Sequence, residues 1–233
     1  MTLQVEHLSG GYGQLAILHD ISFSIDAGQM LALVGLNGSG KSTTINHIIG
    51  LLAPKQGTIT LNQTTLQQNP INYKKQIAYI PEQPVLYEEL TLREHLALTL
   101  SIYQIDATTG WQRAEQLLKT FRLDNKLDWF PTHFSKGMRQ KVMIVMAFLT
   151  DANLFIIDEP FLGLDVLAVN DLLTLIAQRK ATGTSFLLTT HMLSTVADYA
   201  DTFVYLKDGS IAAQGAAQEF AQLVPEMQPG EVH

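Results

Sequence analysis

The chain of 233 residues contains no cysteine. Disulfides, thiolate zinc sites and thiol catalysis are excluded together. Charge is scarce as well, with 16% charged against 46% hydrophobic residues, where an average soluble chain carries about 25% charged residues. A disordered regulator does not fit that balance, and the length suffices for a real core. No apolar run approaches the roughly 20 residues of a membrane span. The longest, Met30 to Leu36 and Val142 to Leu149, stop after seven or eight positions and read as buried strands or helices. There is no run of Lys and Arg either: 15 basic residues face 22 acidic ones, a net charge of −7, which argues against a nucleic-acid partner. The opening, MTLQVEHLSG, lacks the basic patch and apolar stretch of a secretory signal, so a cytoplasmic protein is expected.

What is present is an apolar pattern whose period changes along the chain. Leu3 and Val5, then Ile21, Phe23 and Ile25, alternate with polar neighbours, which predicts antiparallel β-structure at the start. An uninterrupted strand, LALVG, runs into a glycine-rich loop, and Ile45, Ile48, Ile49 and Leu52 then recur at helical spacing. Short strands are expected at Gly57 to Asn62 and Ile77 to Ile80. From Thr91 to Phe121 the pattern is helical, with a capping box at Thr91 and Glu94 and Trp111, Ala114, Leu117, Leu118 and Phe121 on one face. Ser135 to Leu149, apolar nearly all round, predicts a buried helix. After the strand LFII, Asp165 can cap a helix to about Arg179; SFLLTT is the next strand, and Met192 to Tyr199 a short helix. Asp208 and Gly209 mark a hairpin turn. The class is α/β with helices inserted in the middle.

GLNGSGKST, spanning Gly35, Leu36, Asn37, Gly38, Ser39, Gly40, Lys41, Ser42 and Thr43, matches GxxxxGK[ST] and lies between a strand and a helix. Backbone amides must converge on phosphate oxygens there, so the glycines free the backbone and clear the approach. Lys41 brings a positive charge to the β- and γ-phosphates, and Ser42 a hydroxyl for Mg²⁺. Such a loop needs a carboxylate for the metal at the end of another buried strand. LFIIDEP offers Asp158 for that role and Glu159 beside it as the base that activates water.

The order of motifs resembles the ATP-binding subunit of an ABC transporter over essentially the whole chain. The resemblance implies an ABC-type P-loop ATPase with a mixed central sheet, an N-terminal antiparallel β subdomain and an inserted α-helical subdomain. One domain spans 1–233, with about 1–83 and 150–233 as core and about 84–149, signature helix included, as the helical part. By resemblance Tyr12 stacks on adenine and Gln83 senses Mg²⁺ and the attacking water. In FSKGMRQ, Ser135 and Gly137 meet the γ-phosphate held by an opposite subunit. FLGLD resembles the loop through which two subunits sense each other, and His191 the histidine that contacts the γ-phosphate and holds the base. The metal set implied is Ser42, Gln83 and Asp158; the cofactors are ATP and Mg²⁺. The partners implied are a second ATPase subunit, as in a homodimer, and a membrane permease on a separate chain, which would hold the protein peripherally on the inner face of the membrane. Tyr87, Glu88 and Glu89 are candidate contacts for a basic permease helix, with a solvated acidic turn as the plainer reading. FSKGMRQKVMI, DEPFLGLD and PVLYEELTL are similar to the Ecs-type subunits of bacterial export systems, which implies export.

Two departures from the pattern occur: Lys136 replaces the first glycine of the signature pair, and Phe161 and Leu162 stand where small polar residues are usual. They keep open an alternative, a nucleotide-binding regulator that hydrolyses poorly. Asn125 to Asp128 spell the NKxD of GTPases but follow a helical stretch instead of ending a strand. The long heptad insertion of a DNA-repair ATPase is lacking, as is the second cassette of a ribosome-acting one.

Overall fold

The computed structural model describes residues 1–159, 161–190 and 193–225. β1 (Leu3–Gly10), β2 (Leu18–Ile25), β4 (Gln56–Leu61) and β5 (Thr64–Thr65) form an antiparallel sheet in the order β2-β1-β4-β5. β3 (Met30–Val34), β6 (Ile77–Ile80), β7 (Leu154–Asp158), β8 (Ser185–Thr190), β9 (Thr202–Lys207) and β10 (Ser210–Ala216) form the central sheet, ordered β10-β9-β3-β8-β7-β6. All its pairs are parallel except β10 with β9, which the Asp208–Gly209 hairpin joins.

The uninterrupted apolar runs are explained by burial on both faces of this sheet. Leu31, Leu33, Leu154, Ile156 and Leu187 face the antiparallel sheet and α1 (Lys41–Ile48), whereas Phe155, Ile157, Phe186 and Leu188 face the helices on the other side. After the short α2 (Pro70–Lys75), those helices are α3 (Leu92–Tyr103), α4 (Ala107–Phe121), α5 (Lys136–Leu149) and α6 (Val166–Ala181). Phe155 stacks between Phe148 of α5 and Phe186 of β8, with ring centroids 4.8 and 5.2 Å apart. Each such pair adds about 0.5–1.5 kcal/mol beyond area burial, which seats α5 on the sheet. α7 (Leu193–Tyr199) packs against β8 and α8 (Phe220–Leu223) against β10.

Two caps act as the sequence predicts: Thr91 and Glu94 form the reciprocal box, and Asp165 accepts from the Ala168 amide. Ser135 caps α5 in the same way, accepting from the Met138 amide. Three boundaries differ. The helical stretch from Thr91 to Phe121 is two helices, because Gln104 adopts a left-handed φ of 57° and Asp106 caps a new start at Ala107 by accepting from the Thr109 amide. α1 stops at Ile48, where the chain turns back and the Leu51 and Leu52 amides donate to the Asn46 carbonyl. α2, not anticipated, starts where Asn69 caps and Pro70 opens a helix.

Candidate functional site

In the parallel register Val34 lies opposite Thr190 and Asp158 opposite Thr189. The carboxyl ends of β3, β8 and β7 therefore bring the glycine loop and both acids to one sheet edge, where open α/β sheets bind ligands. Gly38 and Gly40 hold φ of 83° and 110°, a region other residues enter at a cost. A Cβ on Gly35 would stand 2.4 Å from Ser39 Oγ and 2.6 Å from the Leu206 carbonyl oxygen. Gly40 caps α1 without a side-chain acceptor, so the helix presents its first-turn amides to an anion. Ser39 Oγ is buried with no partner among the described residues, a polar atom that a phosphate oxygen would satisfy.

A cavity of about 250 Å³ at this edge is lined by Ile17, by loop residues including Lys41 and Ser42, and by Glu82, Asp158 and Glu159. Lys41 donates to the carbonyls of Gly35 and Leu36 at 2.6 and 3.2 Å. Burial pushes its pKa below the ordinary lysine value, and Glu159, Asp158 and Glu82, in decreasing order, push it back. The two acids are linked by Thr189, whose hydroxyl donates to the Asp158 carboxylate and accepts the Glu159 amide N–H at 3.1 Å. Glu159 has a φ of 51°, a conformation costing about 1–3 kcal/mol that surrounding contacts must hold. Sequence reasoning passed over Thr189; the signal available was a buried strand ending in two hydroxyl residues, SFLLTT.

The oxygen donors Ser42, Glu82 and Asp158 suit Mg²⁺, a hard cation. No three His, Cys, Asp or Glu side chains among the described residues converge tightly enough to hold an ion unaided. That fits a metal bound by one or two carboxylates together with substrate phosphates.

The remaining expected residues lie apart. Tyr12 is exposed, and its hydroxyl accepts from Asn46 of α1 at 3.0 Å. Gln83 is exposed and does not line the cavity, whereas its neighbour Glu82 does. Ser135 and Gly137, at the start of α5, do not line it either. His191 falls outside the described residues. Gly137 instead meets the loop before α6: a Cβ there would stand 2.6 Å from the Gly163 carbonyl oxygen. Phe161 in that loop packs edge-on against Tyr199, with centroids 5.8 Å apart. A larger cleft of about 470 Å³ between α4 and α6 holds Arg113 and Arg179, but both donate to the carbonyls that end α5 and its following turn. Asp128 of the NKxD string pairs with Arg93.

A glycine loop between β3 and α1, with paired acids ending β7 at the same sheet edge, defines a P-loop nucleoside triphosphatase. The sequence matches the ABC transporter family over residues 18–162, and the chain belongs to that family. It is 50% identical over 220 residues to the ABC-type transporter ATP-binding protein EcsA of Bacillus subtilis (strain 168), across 94% of this chain and 89% of that protein. To the SkfA peptide export ATP-binding protein SkfE of the same organism it is 34% identical over 209 residues, across 90% and 87%. A solved structure described as the ATP binding subunit of an ABC transporter superposes with a TM-score of 0.93 at 49% identity, across 99% of this chain and 96% of that one. The chain is an ATP-binding subunit that energises a transporter, and an ATPase. No helix among the described residues is long and apolar enough to cross a membrane.

Proposed function

We propose that two copies close head to tail around two ATP molecules, each site taking its phosphate loop from one subunit and Ser135 with Gly137 from the other. In support, those two residues do not line the cavity of their own chain. The apolar side chains of Leu162, Val166 and Leu167 are also exposed beside Gly163 on a face a second subunit would cover. Tyr12 stacks on the adenine, and loop amides from Gly35 to Thr43 hold the phosphates. Lys41 steadies charge on the transferring phosphoryl group. Glu159 takes a proton from water as its oxygen attacks the γ-phosphorus and the bond to the bridging oxygen of ADP breaks; His191 holds Glu159 in place. Mg²⁺, when bound, would neutralise phosphate charge; Ser42 and Asp158 would hold it, with an oxygen from the turn at Glu82 and Gln83. Closure on ATP and parting after hydrolysis drive a separate membrane permease, with residues 84–149 as the helical unit that meets it. Tyr87 and Val85 are exposed there, while Glu88 already pairs with Arg139 at 2.8 Å, which leaves Glu89 as the acidic contact. Similarity to SkfE, named for peptide export, supports export as the direction.

The observation that carries this reading is the convergence of Lys41, Asp158 and Glu159 on one cavity. Glu159→Gln is expected to bind ATP and stay dimeric while turnover falls about 10²–10⁴-fold, the usual loss of a general base. Near-normal steady-state turnover in that variant removes Glu159 from the role.

A further inference from the structure

The segment from Gly11 to Ile17 joins β1 to β2 and reaches the phosphate site, because Ile17 lines the cavity with Lys41 and Ser42. Two backbone bonds close its base, from the Leu15 amide to the Tyr12 carbonyl at 2.9 Å and from the Ile17 amide to the Gly10 carbonyl at 2.8 Å. The Tyr12 ring itself is about half exposed. Among the described residues its hydroxyl has one hydrogen bond, which the side-chain amide of Asn46 donates at 3.0 Å.

That donor is firmly seated. Asn46 lies in the last turn of α1, and its carbonyl accepts the Leu51 and Leu52 amides at 2.8 and 3.0 Å where the chain turns back. The next residue, His47, is buried and donates from Nδ1 to the Leu52 carbonyl at 3.1 Å. The far edge of its ring lies against Gly10, where a Cβ would stand 2.5 Å from Nε2. Consecutive residues of one helical turn thus hold the loop at its start and at its ring. The same helix begins at Lys41, roughly 7.5 Å along the axis from Asn46. One rigid element therefore fixes both the phosphate seat and the ring.

We propose that Asn46 is a positioning residue for base recognition: by holding the Tyr12 hydroxyl it orders the ring before the base arrives, and so strengthens the preference for a nucleotide over bare triphosphate. The assignment rests on the ATP reading above, with Tyr12 as the residue that stacks on adenine. A ring free to turn must be ordered when a base stacks on it, and that ordering lowers affinity. Inorganic triphosphate needs the loop amides and Lys41 and gains nothing from the ring. Asn46 does not line the phosphate cavity, so its bond to Tyr12 bears on the base end of the ligand alone.

The test is calorimetric titration of the full chain with the non-hydrolysable analogue adenylyl imidodiphosphate and with inorganic tripolyphosphate, each with Mg²⁺. Asn46→Leu should weaken the nucleotide about three- to tenfold, the range for one hydrogen bond and one side chain left to be ordered, while tripolyphosphate keeps its parent affinity. Tyr12→Phe deletes the same bond at an exposed position and keeps the ring. It should give the same loss, and the double variant no further loss. Unchanged nucleotide affinity in both single variants overturns the assignment. So does tripolyphosphate weakened as much as the nucleotide, which places the effect in the helix, or a double variant weaker than either single one, which separates Asn46 from Tyr12. Tyr12→Ala tests the reading beneath: parent-like nucleotide affinity there removes Tyr12 from the adenine and this assignment with it, whereas a clear loss there beside a parent-like Asn46→Leu removes Asn46 alone.

Discussion

Removing the Thr189 hydroxyl tests whether the two acids are held in place from the neighbouring strand. Thr189 is fully buried in β8, and its hydroxyl serves the Asp158 carboxylate and the Glu159 amide at once. Thr189→Val keeps the shape and deletes both bonds. A hydrogen bond to a charged group contributes about 1.5–3 kcal/mol, but two features place the loss at the low end. Asp158 is half-buried, so water can replace part of the bond, and the Glu159 amide retains the Thr189 carbonyl at 3.3 Å. The expected destabilisation is about 1.5 kcal/mol, or a melting temperature about 3–6 °C lower for a chain of this size. The effect on catalysis should be larger, because an ångström of misplacement can cost about 10²-fold. Turnover in Thr189→Val should fall between about 10- and 100-fold, while affinity for the ATP analogue, set by the loop and Lys41, stays near that of the parent. Thr189→Ser restores the hydroxyl and should recover most of kcat without recovering all of the stability. Parent-like kcat in Thr189→Val, or a serine that fails to rescue it, refutes the positioning role and leaves Thr189 a residue of the core.

Gly137→Ala places a methyl group 2.6 Å from the Gly163 carbonyl oxygen; unfolding in urea should show about 1–3 kcal/mol of overpacking, together with weaker ATP-driven dimerisation by size exclusion. Lys141→Met breaks the 2.6 Å pair with Asp165, worth about 1 kcal/mol or less because the carboxylate is more than half exposed. The hydrogen bond from Lys141 holds Asp165 below its ordinary pKa. The pair thus stabilises the fold above the unfolded value of about 3.9 and ceases to as pH falls through the lower folded value, so the stability gap between parent and variant should narrow below about pH 4. Lys136→Gly removes an exposed cation at the start of α5; if that cation meets the partner's nucleotide, dimerisation in a Glu159→Gln background should weaken about tenfold, the worth of one charge-assisted hydrogen bond, and unchanged dimerisation marks it as solvent-facing.

The strands at Met30, Leu154 and Ser185 were legible because both faces are buried, which leaves continuous apolar runs. The caps at Thr91 and Asp165 were legible because a cap is a local contract between residues three apart. The break at Gln104 was hidden, since a glutamine in a left-handed conformation leaves no mark in the sequence. Within the site, the loop and the acids could be read from spacing alone. Thr189 and Glu82 could not: their places follow from the register of β8 on β7 and of β6 on β7, pairings between segments far apart in the chain.

The same long-range pairings give α5 two attachments to the loops around the acids. Gln140 and Lys141 are consecutive and buried. The first bonds the turn that carries Glu82, and the second bonds Asp165, the cap of α6. One helical turn earlier, Gly137 stands against the Gly163 carbonyl with no room for a side chain. A shift of α5 along its axis must therefore strain the turn at Pro81 or the loop from Phe161 to Asp165, or carry both with it. The loops that place Glu82 in the cavity and expose Leu162, Val166 and Leu167 are thereby geared to one helix, whose first turn holds Ser135 and Gly137. A ligand that distinguishes two positions of the Glu82 turn would have a direct mechanical route to the face offered to a second subunit, and Gln140→Ala, which cuts that route without touching the cavity, should uncouple metal-dependent nucleotide binding from dimerisation.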